Sequence, residues 1–135
     1  MSSSLDLRYL RFWQALAWLA VIVVVTLTVM REPPQVAIPL LSWDKAQHVV
    51  AYAGLMWWFR QAFRGRALWL ILLPTMGILL EGVQRLTDAR HFEFLDMLAN
   101  LVGLACGALL AATPLGRTLR WADQSILVRT FQRRS

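Results

Sequence analysis

The sequence predicts an all-α, polytopic membrane protein with four transmembrane helices and both termini cytoplasmic, on three observations. Apolar residues make up 58% of the 135 residues against 16% charged, with a mean hydropathy of +0.50, a balance foreign to a soluble domain of this size. Four apolar runs of near-membrane length follow one another, at about 12–30, 46–63, 67–86 and 94–112. Lysines and arginines gather on alternate connections between them. Bilayers admit only helices and closed barrels, and each run is about 20 residues, so helices are expected throughout.

The first run, Phe12 to Met30, holds no charged residue and is flanked by Arg8 and Arg11 before it and Arg31 after it. It can cross a hydrocarbon core of ~30 Å. A cleaved signal peptide would have an apolar region of about 7–15 residues and a small-residue cleavage site, which Met30-Arg31-Glu32-Pro33 does not offer. The second run, Ala46 to Phe63, opens after Ser42-Trp43-Asp44, where Ser42 or Asp44 would cap it, and stops among Arg60, Arg64, Gly65 and Arg66. Its small residues Ala51, Ala53 and Gly54 are expected to let neighbouring helices approach. The third, Ala67 to Leu86, carries Pro74, which removes a backbone donor and predicts a kink. The fourth, about Phe94 to Ala112, ends at Thr113-Pro114-Leu115-Gly116.

One domain, 1–135, accounts for the chain. Its basic tail, 117–135, mixes Leu119, Trp121, Ile126, Leu127 and Phe131 with five arginines and is expected to lie as an interfacial helix. The single cysteine, Cys106, leaves no intrachain disulfide and reads as a small packing residue.

Orientation follows from counting. Arg8, Arg11, Arg60, Arg64, Arg66 and the five tail arginines make ten of the fourteen Lys and Arg, all on one side. Arg31, Lys45, Arg85 and Arg90 share the other side with six of the eight acids. The first side is therefore cytoplasmic. Trp13, Trp57, Trp58, Trp69 and Trp121 would then form an inner aromatic belt, with Trp43 at the outer surface. The net charge of +6 belongs to the anionic membrane surface rather than to nucleic acid.

The densest polar stretch, Glu81 to Asn100, joins the third and fourth runs on the extracytoplasmic side, which argues against ATP and cytosolic metabolites as ligands. Glu81, His48 and Asn100 each fall four or five residues inside their helix ends, about 6–8 Å deep at ~1.5 Å per residue, and so occupy one layer. Asp44, His48 and Tyr52 share a helix face at four-residue spacing, and Asn100 tops a Gly103/Gly107 stripe that reads as helix packing. Lys45, Asp88 and His91 are expected to be solvated.

The ordered set Asp44-Lys45-x-x-His48-x-x-x-Tyr52, Glu81-x-x-Gln84, Arg90, Asp96, Asn100, Gly103 and Gly107 resembles the VanZ-like family of small bacterial membrane proteins. The resemblance covers Asp44 to Gly107. It implies four transmembrane helices and a link to the cell envelope, the founding member being associated with resistance to the glycopeptide teicoplanin. Where the family often has Pro-Gly before the arginine this chain has Asp88-Ala89, an acid that could pair with Arg85 or Arg90, and Phe92-Glu93-Phe94 replaces smaller or hydroxyl-bearing residues.

The first functional expectation is an outward-facing polar cup of Asp44, Lys45, His48, Tyr52, Glu81, Gln84, Arg90, Asp96 and Asn100. It would bind an anionic lipid headgroup or a lipid-linked cell-wall precursor, Arg90 offering the planar fork suited to phosphate or carboxylate. The alternative is that Glu81–Arg85, Asp88–Arg90, Asp96–Asn100 and His48–Tyr52 only staple helices together. A membrane hydrolase or transferase would use Glu81 or Asp96 as base and His48 as acid, but no nucleophile elbow, paired-histidine motif or phosphate-cradling glycine loop accompanies them. A metal on His48, His91 and Glu93 is disfavoured and no cofactor is expected. Polar groups at one end rather than the midplane argue against a transporter. A homo-oligomer or a membrane protein partner is compatible with all of these readings.

Overall fold

The computed structural model describes residues 7–30, 44–86 and 94–132, and among these it is entirely helical. Helix α1 spans Leu10–Val29, α2 Asp44–Ala62, α3 Arg66–Leu86, α4 Phe94–Ala112 and α5 Thr118–Gln132, with a 3-10 turn over Pro114–Arg117 leading into α5. The first four lie on the four apolar runs. Two of them, α1 and α4, are long and apolar enough to cross a membrane; α3 contributes the shorter apolar helix Ala67–Val83. The second run falls short of that apolarity because Lys45, Gln47, His48, Arg60 and Gln61 all lie within its helix.

The organising contact is between α2 and α4, the most extensive in the fold. They run parallel, Lys45 meeting Asp96 at one end while Ala53 and Met56 meet Gly107 further along. Glycine makes this approach possible. A Cβ at Gly103 would strike the Val49 carbonyl and stand 3.1 Å from Tyr52 Cβ. One at Gly107 would strike the Ala53 carbonyl and stand 2.9 Å from Met56 Cβ. The stripe expected to pack helices does so, with Ala53 as its counterpart on α2. Gly54 instead faces open space. Because Gly103, Leu104 and Gly107 turn toward α2, Cys106 points outward and is exposed, not a packing residue.

Helix α3 leans on this pair through Trp69, Leu73, Gly77, Leu80 and Glu81, one face at three- and four-residue spacing. It continues through Pro74, and the Thr75 hydroxyl donates to the Ile71 carbonyl at 2.8 Å. Helix α1 presents Trp13, Ala17, Val21 and Val24 to the bundle, whose core is Tyr52, Leu55, Met56, Phe59, Trp69, Leu73 and Leu104. Phe59 stacks on Phe63 at 4.8 Å and meets Trp69 edge-on at 4.6 Å. The outer faces are apolar: Leu19, Ile22 and Val23 on α1, Ile71, Ile78 and Leu79 on α3, and Leu98, Leu101 and Leu109 on α4 are all exposed.

At the arginine-rich end the helix termini cap one another. Backbone groups at a helix end have no partner within the helix and need one elsewhere. The Asp123 carboxylate on α5 accepts from the Arg8 and Tyr9 amides at 2.8 and 3.1 Å, and from Trp13 Nε1 at 2.8 Å, leaving Asp123 only 2% exposed. Helix α1 thus starts on a cap supplied from more than a hundred residues away, its own N-cap Tyr9 having no side-chain bond to give. Gln61 near the end of α2 accepts from the Leu119 amide at 3.1 Å and the Thr118 hydroxyl at 3.2 Å, which starts α5. Gln14 of α1 donates to the Ala62 carbonyl at 3.0 Å, which ends α2. Gly65, with φ 78°, makes the turn into α3.

Four of the five tryptophans expected to form an inner belt are buried or half-buried at this end. Trp13 and Trp69 are buried and hydrogen-bonded within this end, Trp58 donates to the Trp13 carbonyl at 3.1 Å and Trp57 to the Leu115 carbonyl at 3.0 Å. Of the five, Trp121 alone is exposed. The indoles of Trp57, Trp58 and Trp69 donate to backbone carbonyls and that of Trp13 to the Asp123 carboxylate. Trp43 lies outside the described residues.

Candidate functional site

At the opposite end, the first three turns of α2 carry Lys45, His48 and Tyr52, three and four residues apart and hence on the side facing α4. The first two turns of α4 carry Asp96 and Asn100, and the last turns of α3 carry Glu81. Lys45 and Asp96 form an ion pair, their side chains 15% and 6% exposed. Asp96 Oδ1 is wholly enclosed, and the Lys45 ammonium is the group that meets its charge there. One turn deeper, His48 Nδ1 donates to Asn100 Oδ1 at 2.9 Å, which puts the proton on Nδ1 in this amide orientation. The two contacts tie the same pair of helices at consecutive turns.

Tyr52 and Glu81, both 2% exposed, close the layer from below and from α3, the carboxyl lying within electrostatic reach of the phenol. Gly77, one turn before Glu81, explains how they fit. A Cβ there would stand 3.0 Å from the Tyr52 hydroxyl and 3.2 Å from Asn100 Nδ2, so a bare α3 backbone lets the phenol and the amide come up against it. Six polar side chains from three helices therefore form one layer, Tyr52, Glu81, Asp96 and Asn100 buried and Lys45 and His48 partly so.

Of the residues singled out from the sequence, these six come together. The Asp44 and Gln84 side chains, and Asp88, Arg90, His91 and Glu93, lie outside the described residues. Two expected pairings are replaced. Asp96 engages Lys45 across to α2 rather than Asn100 on its own helix, and His48 engages Asn100 rather than Tyr52. The physical reason is the close α2–α4 approach, which makes the neighbouring helix nearer than the next turn. Lys45, expected to be solvated, is mostly enclosed for the same reason.

Sequence reasoning missed two of the five buried polar or charged residues among those described, Gln61 and Asp123, both at the other end. A signal was present for Asp123, the sole acid among five arginines between Arg117 and Ser135. Gln61, a neutral residue beside Arg60, gave none.

Chemically, the layer offers one ammonium, two carboxyls, an imidazole, a phenol and an amide, with Lys45 and His48 already engaged by α4. Among the described residues no group of three His, Cys, Asp or Glu is placed to hold a metal ion. The candidate acid–base groups Glu81, Asp96 and His48 share the layer, and among the described residues no nucleophile stands out beside them. Comparison with known proteins gives no match to a family model, a curated protein or a solved structure.

Proposed function

We propose that this chain is a four-span protein of the bacterial cytoplasmic membrane, with both termini cytoplasmic, that receives an anionic lipid headgroup or lipid-linked cell-wall precursor at its extracytoplasmic end. The observation that carries the reading is the contrast between a buried polar layer and apolar outer faces on the same helices. Polar groups facing lipid are costly, whereas in a bundle interior they mark a site or a pin. The layer lies at the end where α3 and α4 are joined by the short polar connection that contains Arg90. In this reading Arg90 grips the phosphate as a planar fork and Lys45 exchanges its Asp96 carboxylate for a ligand oxygen. His48 and Asn100 line the entry. The VanZ-like resemblance supports the same placement in the envelope, and catalysis forms no part of the proposal.

The test is mass spectrometry of lipids retained on the detergent-purified protein, wild type against Glu81→Gln and Arg90→Ala. An anionic or polyprenyl-linked lipid enriched on wild type and lost from variants of equal thermal stability is the expected result. Identical bulk phospholipids on all three would sink the reading.

A second reading is favoured by a specific observation: the Lys45–Asp96 and His48–Asn100 contacts already pair groups of α2 with groups of α4. On that account the layer pins the two helices in register and the protein acts through a membrane partner.

A further inference from the structure

The mutual capping at the arginine-rich end has an outcome that charge counting alone does not give. Asp123 holds the Arg8 and Tyr9 amides against α5, bringing together segments more than a hundred residues apart. Gln61 holds the start of α5 against the end of α2. Exposed arginines from three parts of the chain are thereby gathered at one end: Arg8 and Arg11 at the start of α1, Arg64 after α2, and Arg117 before α5. Asp123 is the one acid at this end among the described residues, and its carboxylate is taken up by the two amides and the Trp13 indole. Large apolar side chains stand open next to the arginines, Phe12 at 51%, Leu115 at 49% and Trp121 at 50% exposure.

We infer that this end is an assembled docking surface for anionic phospholipid headgroups of the adjacent leaflet, built by the Asp123 clasp rather than by the number of arginines. Guanidinium groups meet the phosphates, and Phe12, Leu115 and Trp121 enter the acyl boundary beside them. The inference needs the bundle to sit in a membrane. It is independent of the polar layer at the other end, so the variants are compared in an Arg90→Ala background, where lipid binding at that layer does not contribute.

The clasp makes an unusual prediction. Asp123→Asn raises the net charge by one, so binding governed by charge alone would strengthen; if the clasp builds the surface, binding weakens because the start of α1, with Arg8 and Arg11, is no longer held against α5. The measurement is protein thermal stability in a zwitterionic detergent titrated with phosphatidylglycerol, cardiolipin or phosphatidylcholine, with inorganic phosphate as a further arm. Wild type is expected to gain stability with the two anionic lipids, less so at high salt, and not with phosphatidylcholine or free phosphate. Arg8→Gln/Arg117→Gln, which keeps the clasp, is expected to lose about 25-fold in lipid affinity, at about fivefold per arginine. Asp123→Asn is expected to lose affinity too, and if it does not fold the arginine pair decides alone. An unchanged affinity in the arginine pair, equal stabilisation by phosphatidylcholine or by phosphate, or tighter lipid binding by a folded Asp123→Asn protein would each overturn the inference.

Discussion

Lys45 and Asp96 set the terms at the residue scale, because each is enclosed and each is the other's counter-charge. Removing one charge of a buried pair leaves the other uncompensated, at a cost of about 3–5 kcal/mol, whereas replacing both by apolar groups is often neutral. Lys45→Met is therefore expected to destabilise the purified protein strongly, and Lys45→Met/Asp96→Leu to recover most of the loss. Denaturant unfolding of the four members of this cycle measures both. If the double variant recovers stability and keeps the lipid profile of wild type, the pair is a pin; if it recovers stability but loses the retained lipid, the pair is part of a binding site. Glu81, Asp96 and Asn100 were legible in the sequence because a polar residue inside an apolar run has few places to go but inward. Their partners were not, since spacing along one helix says which residues share a face and nothing about which helix will face it. Asp123 escaped notice for the converse reason: an acid among arginines looks solvated, and only the fold reveals amides of the N-terminus waiting for it.

Among elements, the helices themselves were the most legible part, being written in runs of apolar residues with arginines and Pro-Gly punctuation at their ends. What the sequence could not announce was that α2 chooses α4. That choice rests on Gly103 and Gly107 meeting the Val49 and Ala53 carbonyls, so van der Waals contact between backbones takes the place of side-chain interdigitation. A single methyl group is enough to test it. Gly107→Ala, which would drive a Cβ into the Ala53 carbonyl, is expected to cost about 1–3 kcal/mol. Gly54→Ala, on α2 but with nothing within 4 Å, should be neutral or slightly stabilising because alanine is the better helix former. Equal effects at the two positions, read by thermal unfolding in detergent, would remove the close approach as the basis of the α2–α4 pair.

For the whole molecule the proposed topology is tested by thiol labelling, for which Cys106, the single thiol, gives a convenient background. Exposed on an apolar face of α4, it is expected to resist a membrane-impermeant maleimide from either side of the membrane. In a Cys106→Ala chain, Ser125→Cys on α5 should label only when the cytoplasmic face is open, and Met30→Cys only from outside; the reverse pattern would invert the proposed topology. The parallel α2–α4 pair carries one more consequence, in time rather than in space. Helix α2 leaves the ribosome about fifty residues before the partner that matches Lys45 and His48, with α3 made in between. In the proposed four-span topology α2 is, during that interval, a weakly apolar segment without its counterpart, and its settled place in the bilayer awaits α4. Biogenesis of this protein should accordingly be delayed at its second helix and completed at its fourth, so that nascent chains arrested before α4 remain with the insertion machinery while chains extended past Ala112 are released.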